Sequence, residues 1–222
     1  MLSVCSVAMV LLSITVVLLI RAEFQKNRDQ VYIYKPLSTA WVILIALIPL
    51  LFKQNMSTGY SIWIIVALLF SMGGDITLMF QEKAQAFRIG LCFFLITHIL
   101  YAVTFSIFAE MNRQELPIII VLGILAAICY MYLYPGLGSM KISVLLYIFT
   151  ISCMFNRAIA TQFSPNFSNR QAWLITIGAG LFYISDLILA VNRFRISFKY
   201  NRISLGFYYS GQLLIALSTV SW

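Results

Sequence analysis

Long stretches of apolar residues, separated by short polar segments, follow one another along the whole chain. Eight of them are close to the length of about 17–25 residues that a helix needs to cross a bilayer. They are residues 4–20, 36–52, 62–80, 89–109, 116–134, 141–160, 172–191 and 204–222. Strands of a membrane barrel would alternate apolar and polar residues, whereas these stretches are continuously apolar. The pattern therefore predicts an all-α bundle of about eight transmembrane helices.

Composition excludes a soluble domain. The chain is 62% hydrophobic and only 10% charged, whereas a soluble domain needs about 25% charged residues to cover its surface. No linker or low-complexity segment divides the chain, so we interpret residues 1–222 as a single integral membrane domain. We expect the first apolar stretch to remain as a helix, because it lacks the basic segment that opens a signal peptide.

The net charge of +8 comes from basic residues scattered through short loops, which does not form the basic domain of a nucleic-acid-binding protein. These residues favour the first, third and seventh loops over the even-numbered loops. The odd loops carry Arg21, Lys26, Arg28, Lys35, Lys83, Arg88, Arg193, Arg195, Lys199 and Arg202, and the even loops carry Lys53, Arg113 and Arg170. The positive-inside rule then predicts cytosolic odd loops and two non-cytosolic termini.

A faint internal repeat relates the two halves of the chain. Gly74-Asp75-Ile76-Thr77-Leu78 ends the third predicted span, and Ser185-Asp186-Leu187-Ile188-Leu189 ends the seventh. Each is followed by an arginine, Arg88 or Arg202, and ten residues later by His98 or Gln212. This pattern indicates a duplicated four-helix unit whose halves have the same orientation, because four spans is an even number. Asp75 and Asp186 would then lie at matching depth and share one cavity.

Asp75 and Asp186 are the only acidic residues well inside the predicted spans. A charged group at the bilayer centre costs about 2.5–3.5 kcal/mol, so each aspartate is a functional hypothesis by default. Two carboxylates in one cavity can divide their roles, one as a general acid and the other as a base. The alternative is structural: each aspartate pairs with Lys35 or Arg157 and only locks helices together.

Several other residues are candidates for a site. Arg157 and Lys35 can bind a phosphate or carboxylate, or they can extend to the membrane interface. His98 is the only histidine, so a three-histidine zinc site cannot be built, and we expect no metal. His98 either serves the site or bonds one helix to another. Tyr183 lies one turn before Asp186, and Gln212 is expected to be a polar contact between helices.

An ordered series of short motifs carries a family resemblance. It consists of Lys35-Pro36-Leu37, Gly74-Asp75, residues 98–101, Tyr134-Pro135, residues 154–158, the run 178–186, and Gln212. In this order the motifs resemble the YhhN-type lysoplasmalogenase family, from about Lys35 to the C-terminus. Asn156 departs from the pattern, since an apolar or aromatic residue is expected there, and this departure affects local helix contacts.

The resemblance implies an eight-helix membrane hydrolase that cleaves the vinyl ether bond of lysoplasmalogens, which are lysophospholipid substrates held within the bilayer. The products would be a fatty aldehyde and glycerophosphocholine or glycerophosphoethanolamine. Asp75 and Asp186 would perform acid–base catalysis without a cofactor, as two carboxylates do for the related oxocarbenium ion of glycosidases. Arg157, with Lys35, would hold the phosphate. An endomembrane such as the endoplasmic reticulum is the implied location.

Two other functions fit the same residues. Parallel repeats with paired acids also suit a proton-coupled transporter, although the acids lie near one side of the membrane and paired helix breaks are absent from the sequence. A non-catalytic membrane scaffold descended from the enzyme is the second. A homodimer is compatible with the sequence, but no segment marks its interface.

Overall fold

The computed structural model describes residues 2–52, 58–198 and 201–220, and all its regular elements are helical. The all-α prediction is confirmed. The α-helices are α1 (Leu2–Phe24), α2 (Arg28–Leu51), α3 (Thr58–Leu78), α4 (Ala84–Phe108), α5 (Glu115–Leu133), α6 (Lys141–Ala160), α7 (Asn169–Phe194) and α8 (Ser204–Leu217). Single 3-10 turns lie at Tyr134–Gly136, Gly138–Met140, Thr161–Phe163 and Asn201–Ile203. The predicted loop residues Lys53 and Lys199 lie outside the described residues.

Helix α2 begins eight residues before its predicted start at residue 36. The Asn27 side chain accepts a hydrogen bond from the backbone N–H of Gln30 and thereby caps the helix. Pro36 lies inside the helix, which continues through it because neighbouring helices and side chains in a membrane bundle compensate for the missing N–H. Lys35 is therefore an interior residue of α2 and is buried.

Within the described part of the chain, seven helices are long and apolar enough to cross a membrane. The eighth differs from the predicted span 204–222. It has 14 residues, which is a length of about 21 Å against a hydrocarbon core of about 30 Å. The helix ends because Ser218 and Thr219 follow, whose hydroxyls donate to the carbonyls of Ile215 and Ala216. The last two residues of that predicted span, 221 and 222, are not described.

Helix packing follows the predicted repeat. In the first half α1 packs on α2 and α3 on α4, and in the second half α5 packs on α6 and α7 on α8. Between the halves, α4 packs on α6 and α8 packs on α2. The second helix of each half therefore contacts the fourth helix of the other half. This arrangement supports a duplicated unit related by a pseudo-two-fold axis.

Helices α7 and α8 touch backbone to backbone at two glycines. A Cβ atom on Gly178 would lie 2.8 Å from the carbonyl oxygen of Gly211, and one on Gly211 would lie 2.7 Å from the carbonyl oxygen of Gly178. Only glycine allows this approach, as is common where membrane helices cross. The contact brings Gln212 and Tyr208 of α8 close to the helix that carries Asp186.

Candidate active site

Asp75 is buried near the end of α3 and has partners on two other helices. Its Oδ2 atom accepts hydrogen bonds from Thr39 Oγ1 at 2.6 Å and from the Tyr208 hydroxyl at 2.8 Å. The Lys35 ammonium lies 3.7 Å from Oδ1. Lys35 and Thr39 are one turn apart and therefore face Asp75 from the same side of α2. The carboxylate thus has a countercharge and two hydrogen-bond donors, the arrangement that a buried charge requires.

Asp186 lies on α7 beside an aromatic group of residues. Its Oδ2 atom accepts a hydrogen bond from the Tyr147 hydroxyl at 2.5 Å. His98 Nε2 lies 3.1 Å from the same oxygen and 3.1 Å from the Tyr147 hydroxyl. The ring of His98 is completely buried and lies edge to face against Phe182, with centroids 4.7 Å apart. Among the described residues, Asp186 has no lysine or arginine partner, unlike Asp75.

The partners of the two aspartates follow the repeat. Asp75, on the third helix of the first half, is contacted by the second helix of its own half and by the fourth helix of the other half. These contacts come from Thr39 on α2 and Tyr208 on α8. Asp186 has the equivalent arrangement, with Tyr147 on α6 and His98 on α4. Both carboxylates therefore lie where helices of the two halves meet.

Both aspartates line one small cavity at the end of the bundle where the odd loops lie. This polar cavity, of about 40 Å³, is also lined by Glu23, Lys35, Arg202 and Tyr208. A second cavity of about 50 Å³ lies beside it and is almost entirely apolar, with Phe87, Leu91, Val144, Ile148 and Tyr183 among its lining residues. Asp186 and Leu189 line both cavities. The Asp186 carboxylate therefore lies at the junction of a polar and an apolar space.

The structure does not bring Arg157 to the aspartates. Its Nη1 donates to Glu115 Oε2 at 2.5 Å, and its Nη2 donates to the Ala109 carbonyl oxygen at 2.9 Å. Arg157 follows Tyr147 by ten residues on α6, which is about 15 Å along the helix toward the opposite end of the bundle. Asn156, the residue that departs from the family pattern, also donates to Glu115 Oε2 at 3.2 Å.

Tyr183 and Gln212 reach the site indirectly. Tyr183 lines the apolar cavity and shares a hydrogen bond of 3.2 Å with Ser152. Gln212 accepts from Tyr101 and donates to Ser71 Oγ at 2.7 Å. A hydrogen bond of 2.7 Å then joins Ser71 to Tyr208, whose hydroxyl donates to Asp75. Gln212 therefore acts on Asp75 through two intervening hydroxyls.

Several residues with contacts at these sites are not among the predicted site residues, and they include Glu23, Thr39, Glu115, Tyr147, Arg202 and Tyr208. Thr39 and Tyr208 had a local signal, since each lies one turn from a candidate, Lys35 or Gln212. The sequence predicts Arg202 as a loop charge and as the arginine that precedes Gln212 in the repeat. Glu115 lay one residue outside the predicted fifth span. Tyr147 had no signal, because its contact with Asp186 joins residues 39 positions apart.

Comparisons with known proteins identify the family of the chain. A sequence model of the YhhN family matches residues 30–219. Two relatives, each named lysoplasmalogenase TMEM86A, from Bos taurus and Homo sapiens, are 36% identical over 160 residues. That alignment covers 71% of this chain and 65% of each relative, so it spans less than two thirds of their length. No solved structure matches the chain.

Proposed function

The chain belongs to the YhhN family, and we propose that it hydrolyses the vinyl ether bond of lysoplasmalogens to a fatty aldehyde and glycerophosphocholine or glycerophosphoethanolamine. The name of its relatives supports this substrate class. The observation that carries the proposal is the place of Asp186 at the junction of the two cavities, with Asp75 in the polar one.

A lysoplasmalogen has one apolar chain joined through a vinyl ether to a polar glycerophosphodiester. The apolar cavity suits the start of the chain, and the polar cavity suits the glycerol and its phosphate, since binding sites orient a mostly apolar ligand with a few polar groups. In this placement the vinyl ether lies at Asp186. The substrate enters from the bilayer, which already holds its apolar chain.

Asp186 is the general acid in this mechanism. Its Oδ2 is occupied by Tyr147, whereas its Oδ1 has no hydrogen-bond partner among the described residues. Protonated at Oδ1, Asp186 transfers the proton to the β-carbon of the vinyl ether, and the double-bond electrons form that new C–H bond. The ether oxygen then shares a lone pair with the α-carbon to give an oxocarbenium ion. Tyr147 and His98 are positioning residues for the acid.

Asp75 is the base. Lys35 supplies its countercharge, and Thr39 and Tyr208 hold its Oδ2 atom. Asp75 accepts a proton from the water whose oxygen bonds to the α-carbon, which gives a hemiacetal. The bond between the α-carbon and the glycerol oxygen then breaks, the hydroxyl proton of the hemiacetal passes to the glycerol oxygen, and the aldehyde leaves. Return of the proton from Asp75 to Asp186 completes the cycle, with one water consumed.

Arg157 has no part in this proposed site, because Glu115 and the Ala109 carbonyl occupy its terminal nitrogens at the opposite end of the bundle. Lys35, by contrast, lines the polar cavity. Its remaining hydrogen-bond donors can serve the glycerophosphate. Gln212 positions Tyr208 through Ser71, and Tyr183 forms part of the wall around the apolar chain.

The test uses purified protein in detergent with choline and ethanolamine lysoplasmalogens. We expect fatty aldehyde from both, and no product from a saturated alkyl-ether or an acyl lysophospholipid, because neither can form the oxocarbenium ion by carbon protonation. In H₂¹⁸O the glycerophospho product should stay unlabelled, since the bond on the vinyl side breaks. Release of fatty acid, labelled alcohol product, or no aldehyde at all would contradict the proposal. A transporter would need a sealed vesicle and would release no aldehyde in detergent.

Two substitutions test the roles of the carboxylates. Asp75→Asn and Asp186→Asn should each lower kcat by about 100- to 10,000-fold, the usual contribution of a general acid or base. Asp29→Asn is the matched control, because Asp29 is an exposed aspartate in the first turn of α2. Near-normal aldehyde release by a folded Asp75→Asn or Asp186→Asn protein would end the two-aspartate mechanism.

A further inference from the structure

The polar cavity is also lined by an ion pair, and this pair has no part in the proposed chemistry. Arg202, in the 3-10 turn before α8, places its Nε atom 3.2 Å from Oε2 of Glu23, near the end of α1. Both residues line the polar cavity together with Asp75 and Asp186. The Arg202 side chain keeps 29% of its surface exposed, and that of Glu23 keeps 11%. The pair thus lies at the cavity, with Arg202 the more accessible of its two members.

Each member of the pair has unused hydrogen-bonding capacity. Only the Nε atom of Arg202 is engaged by Glu23. Its two terminal nitrogens, and the Oε1 atom of Glu23, have no other polar partner within the described segments. A guanidinium presents parallel N–H groups that match two phosphate oxygens, and these charge-assisted bonds are the strong ones. A carboxylate beside it suits an ammonium group.

We propose that Glu23 and Arg202 form the headgroup site for a zwitterionic lysophospholipid, with the phosphodiester on Arg202 and the choline or ethanolamine cation on Glu23. This inference rests on the proposed function for the identity of the reaction. It assigns specificity to one residue near the end of α1 and one in the 3-10 turn before α8. A neutral ion pair is complementary to a headgroup that is itself a neutral ion pair, so binding leaves the charge of the cavity unchanged.

The competing interpretation is a tether between α1 and the start of α8. Those segments contact each other, and an ion pair of partly exposed side chains contributes about 0–1 kcal/mol to such a contact. The two interpretations differ in what a charge swap does. Glu23→Arg combined with Arg202→Glu restores an ion pair between the segments, but it reverses the order of charges that the headgroup meets.

The experiment compares three vinyl ether substrates: an alkenylglycerophosphoethanolamine, an alkenylglycerophosphate without the amine, and an alkenylglycerol without the phosphate. Arg202→Gln should lower kcat/KM for both phosphate lipids about tenfold relative to alkenylglycerol, through KM. Glu23→Gln should lower the preference for the ethanolamine lipid over the alkenylglycerophosphate by a similar factor. Arg28→Gln is the matched control, because Arg28 pairs with Glu82 at the same end of the bundle and lines neither cavity.

The swap variant decides between the interpretations. If it recovers the thermal stability but not the headgroup selectivity, the headgroup site stands. Recovery of both, or equal loss of kcat/KM for all three substrates in Arg202→Gln, would overturn it. Inorganic phosphate should compete far more weakly than the lipid, and equal competition would also overturn recognition of the zwitterion.

A binding measurement separates this inference from the proposed function. A saturated 1-alkyl-glycerophosphoethanolamine carries the same headgroup but cannot be hydrolysed by carbon protonation. Its Kd should be about tenfold higher for Arg202→Gln than for the unaltered protein. If this holds while no vinyl ether is cleaved, the headgroup site survives and the proposed reaction fails. If cleavage occurs and the Kd is unchanged, the reaction survives and the headgroup site fails.

Discussion

Two lysine or arginine ion pairs are buried in the described part of the bundle, one near each end. At one end Lys35 lies 3.7 Å from Asp75, and at the other Arg157 lies 2.5 Å from Glu115. All four side chains are less than a tenth exposed. Nevertheless their surroundings differ, since Lys35 and Asp75 line the polar cavity and the other pair lines neither cavity.

The difference lies in where the unused donors of each cation are: the Nε atom of Arg157 has no hydrogen-bond partner among the described residues but is enclosed by protein, whereas Lys35 lines the polar cavity. The two terminal nitrogens of Arg157 have a carboxylate and a backbone carbonyl as partners, and Asn156 adds a further hydrogen bond to Glu115. Lys35 has only a long contact to one carboxylate, beside open space. Burial alone therefore does not distinguish a functional charge from a structural one. The distinguishing feature is a hydrogen-bond donor that has no protein partner and lies next to a cavity, because only such a donor is available to a ligand.

The largest effect is expected from Arg157→Gln. The substitution leaves Glu115 buried without its countercharge, and breaking a buried pair costs about 3–5 kcal/mol. The thermal midpoint in detergent should fall accordingly, while kcat and KM per folded molecule stay unchanged. If KM for the phosphate-bearing lipid differs between the variant and the unaltered protein at equal folded fraction, Arg157 contributes to substrate binding after all.

The double variant Arg157→Met with Glu115→Leu sharpens this result. Replacing both charges with apolar residues removes the unpaired group, so most of the lost stability should return, as it often does for buried pairs. Thermal unfolding of both variants side by side measures the recovery. Failure of the double variant to recover would mean that the pair does more than join α5 to α6.

Lys35→Gln should produce the opposite profile. The Lys35–Asp75 contact is longer than that of Arg157 with Glu115, 3.7 Å against 2.5 Å, so the loss of stability should be smaller than for Arg157→Gln. Loss of the countercharge and of a donor in the cavity should lower kcat by about 100-fold, roughly the value of a strong charged hydrogen bond. Parallel measurements of aldehyde release and thermal midpoint test this, and unchanged kcat would remove the distinction between the two pairs.

The smallest effect is expected from Tyr147→Phe, which keeps the ring and removes the hydroxyl that donates to Asp186. The acid would be less well oriented, so kcat should fall about tenfold, which corresponds to about 1.4 kcal/mol. KM should change little. Tyr130→Phe on α5 is a control, since among the described residues its hydroxyl bonds only to the Lys141 carbonyl. If kcat falls equally in Tyr147→Phe and Tyr130→Phe, Tyr147 has no positioning role.

Several features of the site were predictable, because their signal is local. Asp75 and Asp186 are conspicuous as acids within apolar spans, and the repeat around them predicted that they share a cavity, as they do. Arg157 shows where this reasoning stops. Its residue type and place near a span end suit phosphate binding, but its partner Glu115 lies 42 residues away on another helix.

Helix type, approximate spans and the membrane environment follow from hydropathy, which each segment carries independently of the others, since in lipid a backbone must satisfy its hydrogen bonds within the helix. Which charge meets which, and which charge remains available beside a cavity, depends on how eight helices pack. Helices in lipid associate through close contacts such as that of Gly178 with Gly211, whose fit depends on shape across the whole bundle. Such contacts have no counterpart in the hydropathy of a single segment, so only the folded structure shows that Lys35 and Asp186 line the polar cavity, whereas Arg157 lines neither of the two cavities at the aspartates.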